Sequence, residues 1–144
     1  MDLIVMCIGN RDGGDDAVGP YIAEGLRNSD INVIDCGVTP ENFTYDVRKS
    51  NPDLVVIIDA VEMNLKPGEV RVVPKEKVGV AHISTHGIPV SVLIKYLERS
   101  IEKVIFIGIQ PAKMSGEMSE SVKRSADKLV KIIESKNFND IEKL

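Results

Sequence analysis

Six consecutive apolar residues, Leu3-Ile4-Val5-Met6-Cys7-Ile8, run up to Gly9-Asn10. This is the signature of a parallel strand covered on both faces rather than of a strand with one wet side. Comparable runs recur at Asn32-Val33-Ile34-Asp35, at Leu54-Val55-Val56-Ile57-Ile58-Asp59 and at Val104-Ile105-Phe106-Ile107-Gly108-Ile109. Between them the pattern switches to a helical period. Residues 18–27 repeat Val18, Tyr21, Ile22 and Leu26 at three- and four-residue steps. Residues 89–100 place Val90, Leu93, Ile94 and Leu97 on one face, and residues 119–135 do the same with Val122, Ala126, Leu129, Val130 and Ile133. A further helix is predicted to begin at Thr39-Pro40, with the threonine as N-cap and the proline in the first helical position, and to stop at Asn51-Pro52. Lys66-Pro67-Gly68-Glu69-Val70-Arg71-Val72-Val73 reads as a turn feeding an alternating strand, suited to an antiparallel edge. Residues 136–144 lose the apolar period and are expected to fray.

Strands alternating with helices predict an α/β fold: a three-layer sandwich in which a mostly parallel sheet with one antiparallel strand carries helices on both faces. The length of 144 residues allows one domain, spanning 1–144, and a hydrophobic fraction of 43% supplies its core. Aromatics make up only 4% with no Trp, so the core is aliphatic and stacking platforms for bases are lacking. A formal net charge of −4 has the wrong sign for neutralising phosphates, which argues against nucleic acid as a partner. No stretch resembles a signal peptide or a membrane span. With only two cysteines, both in apolar strand-like contexts, a reduced, cytoplasmic setting is expected.

In such sheets ligands bind beyond the carboxyl ends of the strands, where strand order reverses. The residues following the strands are acidic: Asp12, Asp15 and Asp16 after the first, Asp35 after the second, Asp59 and Glu62 after the third. The glycine-rich loop after the first strand invites a phosphate reading. It has neither G-x-G-x-x-G nor a Walker lysine, however, and its aspartates occupy the space that phosphate charges would need. These carboxylates suit a cation, and Ser84-Thr85-His86-Gly87-Ile88-Pro89 offers a nitrogen ligand. Asp16, Asp59 and His86 together would form a borderline set for zinc, nickel or iron, with coordination positions left open. The plainer readings stand beside this one. Asp15 or Asp16 would serve as an N-cap, Asp59 would cap a turn, and His86 would be an exposed loop histidine. His82 is read as solvated or supporting, Cys7 as a packed hydrophobe, Cys36 as the more reachable thiol, and Glu62 as a solvated charge. Ser84 with His86 and Asp59 would suggest a serine hydrolase, but no G-x-S-x-G elbow is present. Residues 112–118 are expected to form a mobile loop beside the crevice.

Four ordered blocks, Gly9-Asn10 through Asp15-Asp16-Ala17-Val18-Gly19-Pro20, Ile58-Asp59-Ala60 with Leu65-Lys66-Pro67-Gly68-Glu69-Val70, Thr85-His86-Gly87-Ile88-Pro89, and Phe106-Ile107-Gly108-Ile109-Gln110-Pro111, resemble those of the [NiFe]-hydrogenase maturation endopeptidases. The resemblance implies a twisted five-stranded sheet between helices and an endopeptidase that removes the C-terminal extension of a [NiFe]-hydrogenase large-subunit precursor. It also implies that Asp16, Asp59 and His86 are the catalytic and metal-contacting trio, acting on nickel borne by the substrate, with zinc or cadmium as stand-ins in crystals. The expected protein is a cytoplasmic monomer without membrane contact. Two other readings remain open: a noncatalytic nickel-binding module that checks assembly, and a serine or cysteine hydrolase using the same crevice.

Overall fold

The computed structural model describes residues 1–79 and 88–144, together with the backbone of residues 82 and 83. The apolar runs form β1 (Leu3–Ile8), β2 (Asn32–Gly37), β3 (Leu54–Glu62) and β6 (Lys103–Ile109), while the alternating segment forms the short β4 (Val70–Val72). The two-residue β5 (His82–Ile83) pairs antiparallel with the end of β3. The main sheet runs β2-β1-β3-β6-β4, with β4 antiparallel to β6 and the other four strands parallel. The mixed sheet with one antiparallel edge is therefore the one predicted.

Both faces are covered, which is why β1 throughout, β3 over residues 54–58 and β6 over residues 104–107 are apolar at successive rather than alternate positions. On one face Val5, Val56, Ile58 and Ile107 pack under α1 (Val18–Leu26) and α5 (Glu120–Ser135). On the other, Met6, Val55, Ile57 and Phe106 pack under α2 (Thr44–Ser50), the short α3 (Lys75–Val78) and α4 (Val90–Leu97). Thr39 makes no side-chain cap. The chain instead enters α2 through a 3₁₀ turn at Pro40–Phe43.

The fold departs from the sequence reading in two places. First, β3 does not stop at Asp59, because Ala60 and Val61 are also buried and the strand continues to Glu62. Pairing of β1 with β3 ends at Cys7–Ile58, whereas pairing of β3 with β6 goes on to Ala60–Ile109. Asp59 thus sits inside a strand that overhangs its neighbour. Second, residues 136–144 do not fray. Lys136 closes α5 in the left-handed conformation (φ 61°), Ile141 is buried, the Val72 N–H donates to Glu142 C=O at 2.9 Å, and the Leu144 N–H donates to Val72 C=O at 2.9 Å. Phe138, Ile141 and Leu144 are the anchors, each packed on the core. Their three-residue spacing is too short a signal for a period to register. Among the described residues, no helix is long and apolar enough to cross a membrane.

Candidate active site

The sheet order reverses between β1 and β3: the chain leaves β1 for β2 on one side and returns to β3 on the other. A crevice opens beyond the carboxyl ends of two strands whose connections diverge in this way. Asp16 reaches it from the β1 side and Asp59 from the β3 side.

After β1 the chain turns through Gly9-Asn10 into a 3₁₀ turn, Gly14–Ala17, that leads directly into α1. Gly9 has φ 155°, and a Cβ there would lie 2.0 Å from the Asp16 C=O, so only glycine lets the turn close onto the strand end. Within it the Asn10 N–H donates to Asp16 Oδ2 at 3.0 Å. Asp16 is 3% exposed and Asp59 0%. By strand alternation Asp59 lies in the row of Val55, Ile57 and Val61, facing the α4 layer, and interrupts an otherwise apolar file. Its Oδ1 accepts from the Ala60 N–H at 2.8 Å, while its buried Oδ2 has no hydrogen-bond donor among the described residues. Burial, and after it the nearby Asp16 carboxylate, push the Asp59 carboxyl well above the usual carboxylate range against the pull of the Ala60 N–H.

A buried carboxyl with an open oxygen beside a second carboxylate is stable in two ways. It can hold a proton between the two groups, or it can hold a cation. Among the described residues no three His, Cys, Asp or Glu side chains are grouped to hold a metal ion. The predicted third member, His86, lies outside the described residues, as do Ser84 and the rest of the Thr85-His86-Gly87 block. His82 is placed only by its backbone, opposite Glu62.

The N-cap reading of Asp15 and Asp16 does not hold, since neither the 3₁₀ turn nor α1 has a side-chain cap. Asp15 instead accepts four hydrogen bonds, from the N–H of Ala112 (2.8 Å), Lys113 (3.1 Å) and Ser119 (2.6 Å) and from Ser119 Oγ (2.8 Å). Burial alone would raise its carboxyl, but these donors, led by the Ser119 N–H, hold it below the usual range. The segment 112–118, expected to be mobile, is tied at both ends.

Gln110, 3% exposed, closes the β6 side of the rim. Its Oε1 accepts from the N–H of Met63 (2.7 Å) and Leu65 (3.2 Å), and its Nε2 donates to Glu62 Oε2 (2.9 Å) and Pro111 C=O (3.1 Å). Glu62 is therefore tied to the rim rather than simply solvated. Asp35 pairs with Arg11, which offsets part of the acidity at the mouth. Sequence reasoning saw in Asp15 no more than a cap, and it did not single out Gln110.

The thiols do not fit a nucleophile. Cys7 is buried and pushed well above the usual thiol range by that burial, and Cys36 is pushed up to about 12, again chiefly by burial. Neither supplies thiolate at neutral pH.

A family model of hydrogenase maturation proteases matches residues 18–136. The chain is 38% identical over 112 residues to the hydrogenase 3 maturation protease of Escherichia coli K12, covering 75% of this chain and 72% of that protein. Among solved structures, the endopeptidase HycI from Escherichia coli superposes with a TM-score of 0.91 at 31% identity, over 100% of this chain and 97% of that one. The [NiFe] hydrogenase maturation protease HycI from Thermococcus kodakarensis KOD1 superposes at 0.82 with 31% identity, over 93% and 90%.

Proposed function

The chain belongs to the hydrogenase maturation protease family of endopeptidases, and we propose that it removes the C-terminal extension from a [NiFe]-hydrogenase large-subunit precursor, in the cytoplasm, once nickel has been inserted. Asp16, Asp59 and His86 engage the nickel that the substrate carries, so the ion belongs to the substrate and not to the resting protease. The single observation behind this reading is the pair of buried carboxylates at the switch point, with Asp59 Oδ2 lacking a donor among the described residues. A divalent ion brought by the substrate would satisfy that oxygen and cancel the repulsion between the two carboxylates. The borderline character of a two-carboxylate, one-imidazole set matches nickel, and substrate thiolates would complete its coordination. Two carboxylates and one imidazole, with no cysteine, lack the closed four-ligand set of a retained structural metal, so the isolated protease binds free divalent ions weakly.

The test compares nickel-loaded with nickel-free precursor at matched protease concentration, reading the loss of the extension by mass spectrometry. Cleavage of the loaded form alone is expected, and Asp16→Asn, Asp59→Asn and His86→Ala each abolish it while remaining folded. Equal cleavage of both precursors would overturn nickel recognition, even if all three residues proved necessary.

A further inference from the structure

We propose that Asp15 is a positioning residue: by locking the segment after β6 onto the 3₁₀ turn after β1, it fixes the direction in which Asp16 presents its carboxylate to the crevice. This rests on the proposed role of Asp16. In a 3₁₀ turn successive side chains project about 120° apart. A side chain held rigidly at one position therefore sets the rotation of the turn and the direction of the next residue. Asp15 is held in this way, fully buried and accepting from Ala112, Lys113 and both donors of Ser119, while its own N–H donates to Lys113 C=O at 2.9 Å.

A second, independent contact fixes the same docking. Gly14 has φ 63°, and a Cβ there would lie 2.6 Å from both N and O of Ser115. Turn and segment thus meet backbone to backbone, at a separation no side chain would allow. The Asp16 end of the turn is in turn read by the Asn10 N–H on Asp16 Oδ2. The chain of contacts runs from the 112–119 segment through Asp15 and the turn to the carboxylate of Asp16.

The experiment uses the full chain as wild type, Asp15→Asn, Asp15→Ala and Ser119→Ala. An asparagine keeps the size but sets an NH₂ against donors that need an acceptor, whereas Ser119→Ala removes one bond of the four. The Asn10 amide, followed by ¹H–¹⁵N correlation and hydrogen exchange, reports the Asp16 carboxylate without any substrate. Processing of nickel-loaded precursor gives kcat and KM. In Asp15→Asn we expect a displaced Asn10 resonance and a kcat lower by at least about tenfold, toward the roughly 100-fold cost of a 1 Å misplacement, with KM within about threefold. Ser119→Ala is expected to stay within about threefold of wild type in both constants, since three of the four bonds remain. If Asp15→Ala does not fold, Asp15→Asn and Ser119→Ala carry the test. An unchanged Asn10 amide in Asp15→Asn overturns the proposal, and so does a lowered thermal midpoint with kcat unaltered, which would make Asp15 merely structural. If wild type itself leaves nickel-loaded precursor intact, the functional reading fails, and the Asn10 amide still decides whether Asp15 positions Asp16.

Discussion

Replacing Asp59 by asparagine is expected to stabilise the protein while abolishing processing. Asp59 is 0% exposed, Oδ1 has a single local donor, Oδ2 has none among the described residues, and Asp16 stands beside it. A buried polar group left unsatisfied costs about 1–3 kcal/mol, and a charged one more. Asparagine keeps the shape and the acceptor for the Ala60 N–H, removes the charge, and presents an NH₂ that Asp16 can accept. The net gain is about 1–3 kcal/mol near neutral pH. For a chain of this size it raises the thermal midpoint by about 3 °C per kcal/mol.

The pH dependence separates this account from a generic packing effect. A carboxyl whose folded pKa is raised binds its proton more tightly in the folded state than in the unfolded one. Stability therefore falls as pH climbs from the ordinary aspartate value of about 3.9 through the raised folded value. Asparagine does not titrate, so the gap between variant and wild type is small at the acid end, widens through that window and is constant above it. Differential scanning calorimetry in a chelating buffer, in steps from acid to mildly alkaline pH, measures this gap without interference from adventitious metal. A lower midpoint for Asp59→Asn at neutral pH, or a gap independent of pH, would contradict a buried, proton-holding Asp59.

Gln110→Ala strands the buried N–H of Met63 and the half-buried N–H of Leu65 and is expected to cost about 1–3 kcal/mol in denaturant unfolding. Ile141→Ala is expected to cost about 2 kcal/mol, at the low end for a buried isoleucine because the site lies at the sheet edge, and to open residues 138–144 to limited proteolysis. Cys36, with its thiol pushed up to about 12, is expected to resist iodoacetamide at neutral pH in the folded protein and to react only on unfolding, with processing unaffected by the reagent.

How much was legible in the sequence followed from how local each signal is. The strands of the parallel core announced themselves because residues such as Val56 and Ile57, adjacent in sequence, are both buried on opposite faces. The edge β4 was readable from Val70 and Val72 flanking Arg71. Asp16 and Asp59 were found because an acidic residue at the carboxyl side of an apolar run is unusual. Asp59 was misplaced by three residues relative to its strand end, since a single polar residue in a buried strand reads as a stop. The side-chain partners of Asp15 lie 97 to 104 positions away, and those of the Gln110 side chain lie 45 to 48 away apart from Pro111. No local pattern encodes such contacts. An aspartate before a helix looks like an N-cap whether or not it is one, and only the fold shows that its carboxylate is spent on another loop.

The overhang of β3 explains why the two candidate carboxylates differ in kind. Asp59 is carried by a strand hydrogen-bonded through Asp59–Gly108 and Ala60–Ile109 to β6, so its place is set by the sheet and cannot relax away from Asp16. Asp16 is carried by a turn, and a turn of four residues has no such ladder to hold it. It needs tethers: the Asn10 N–H holds Asp16 Oδ2, and the bonds of Asp15 dock the turn onto the segment after β6. A repulsive pair can persist in a folded protein only when neither member is free to swing into water. Here one is fixed by strand pairing and the other by a buried, fully bonded neighbour. On the proposed reading, the same rigidity holds both carboxylates in place for the cation that the substrate would bring, so what the pair costs the free protein would return as affinity for that ion.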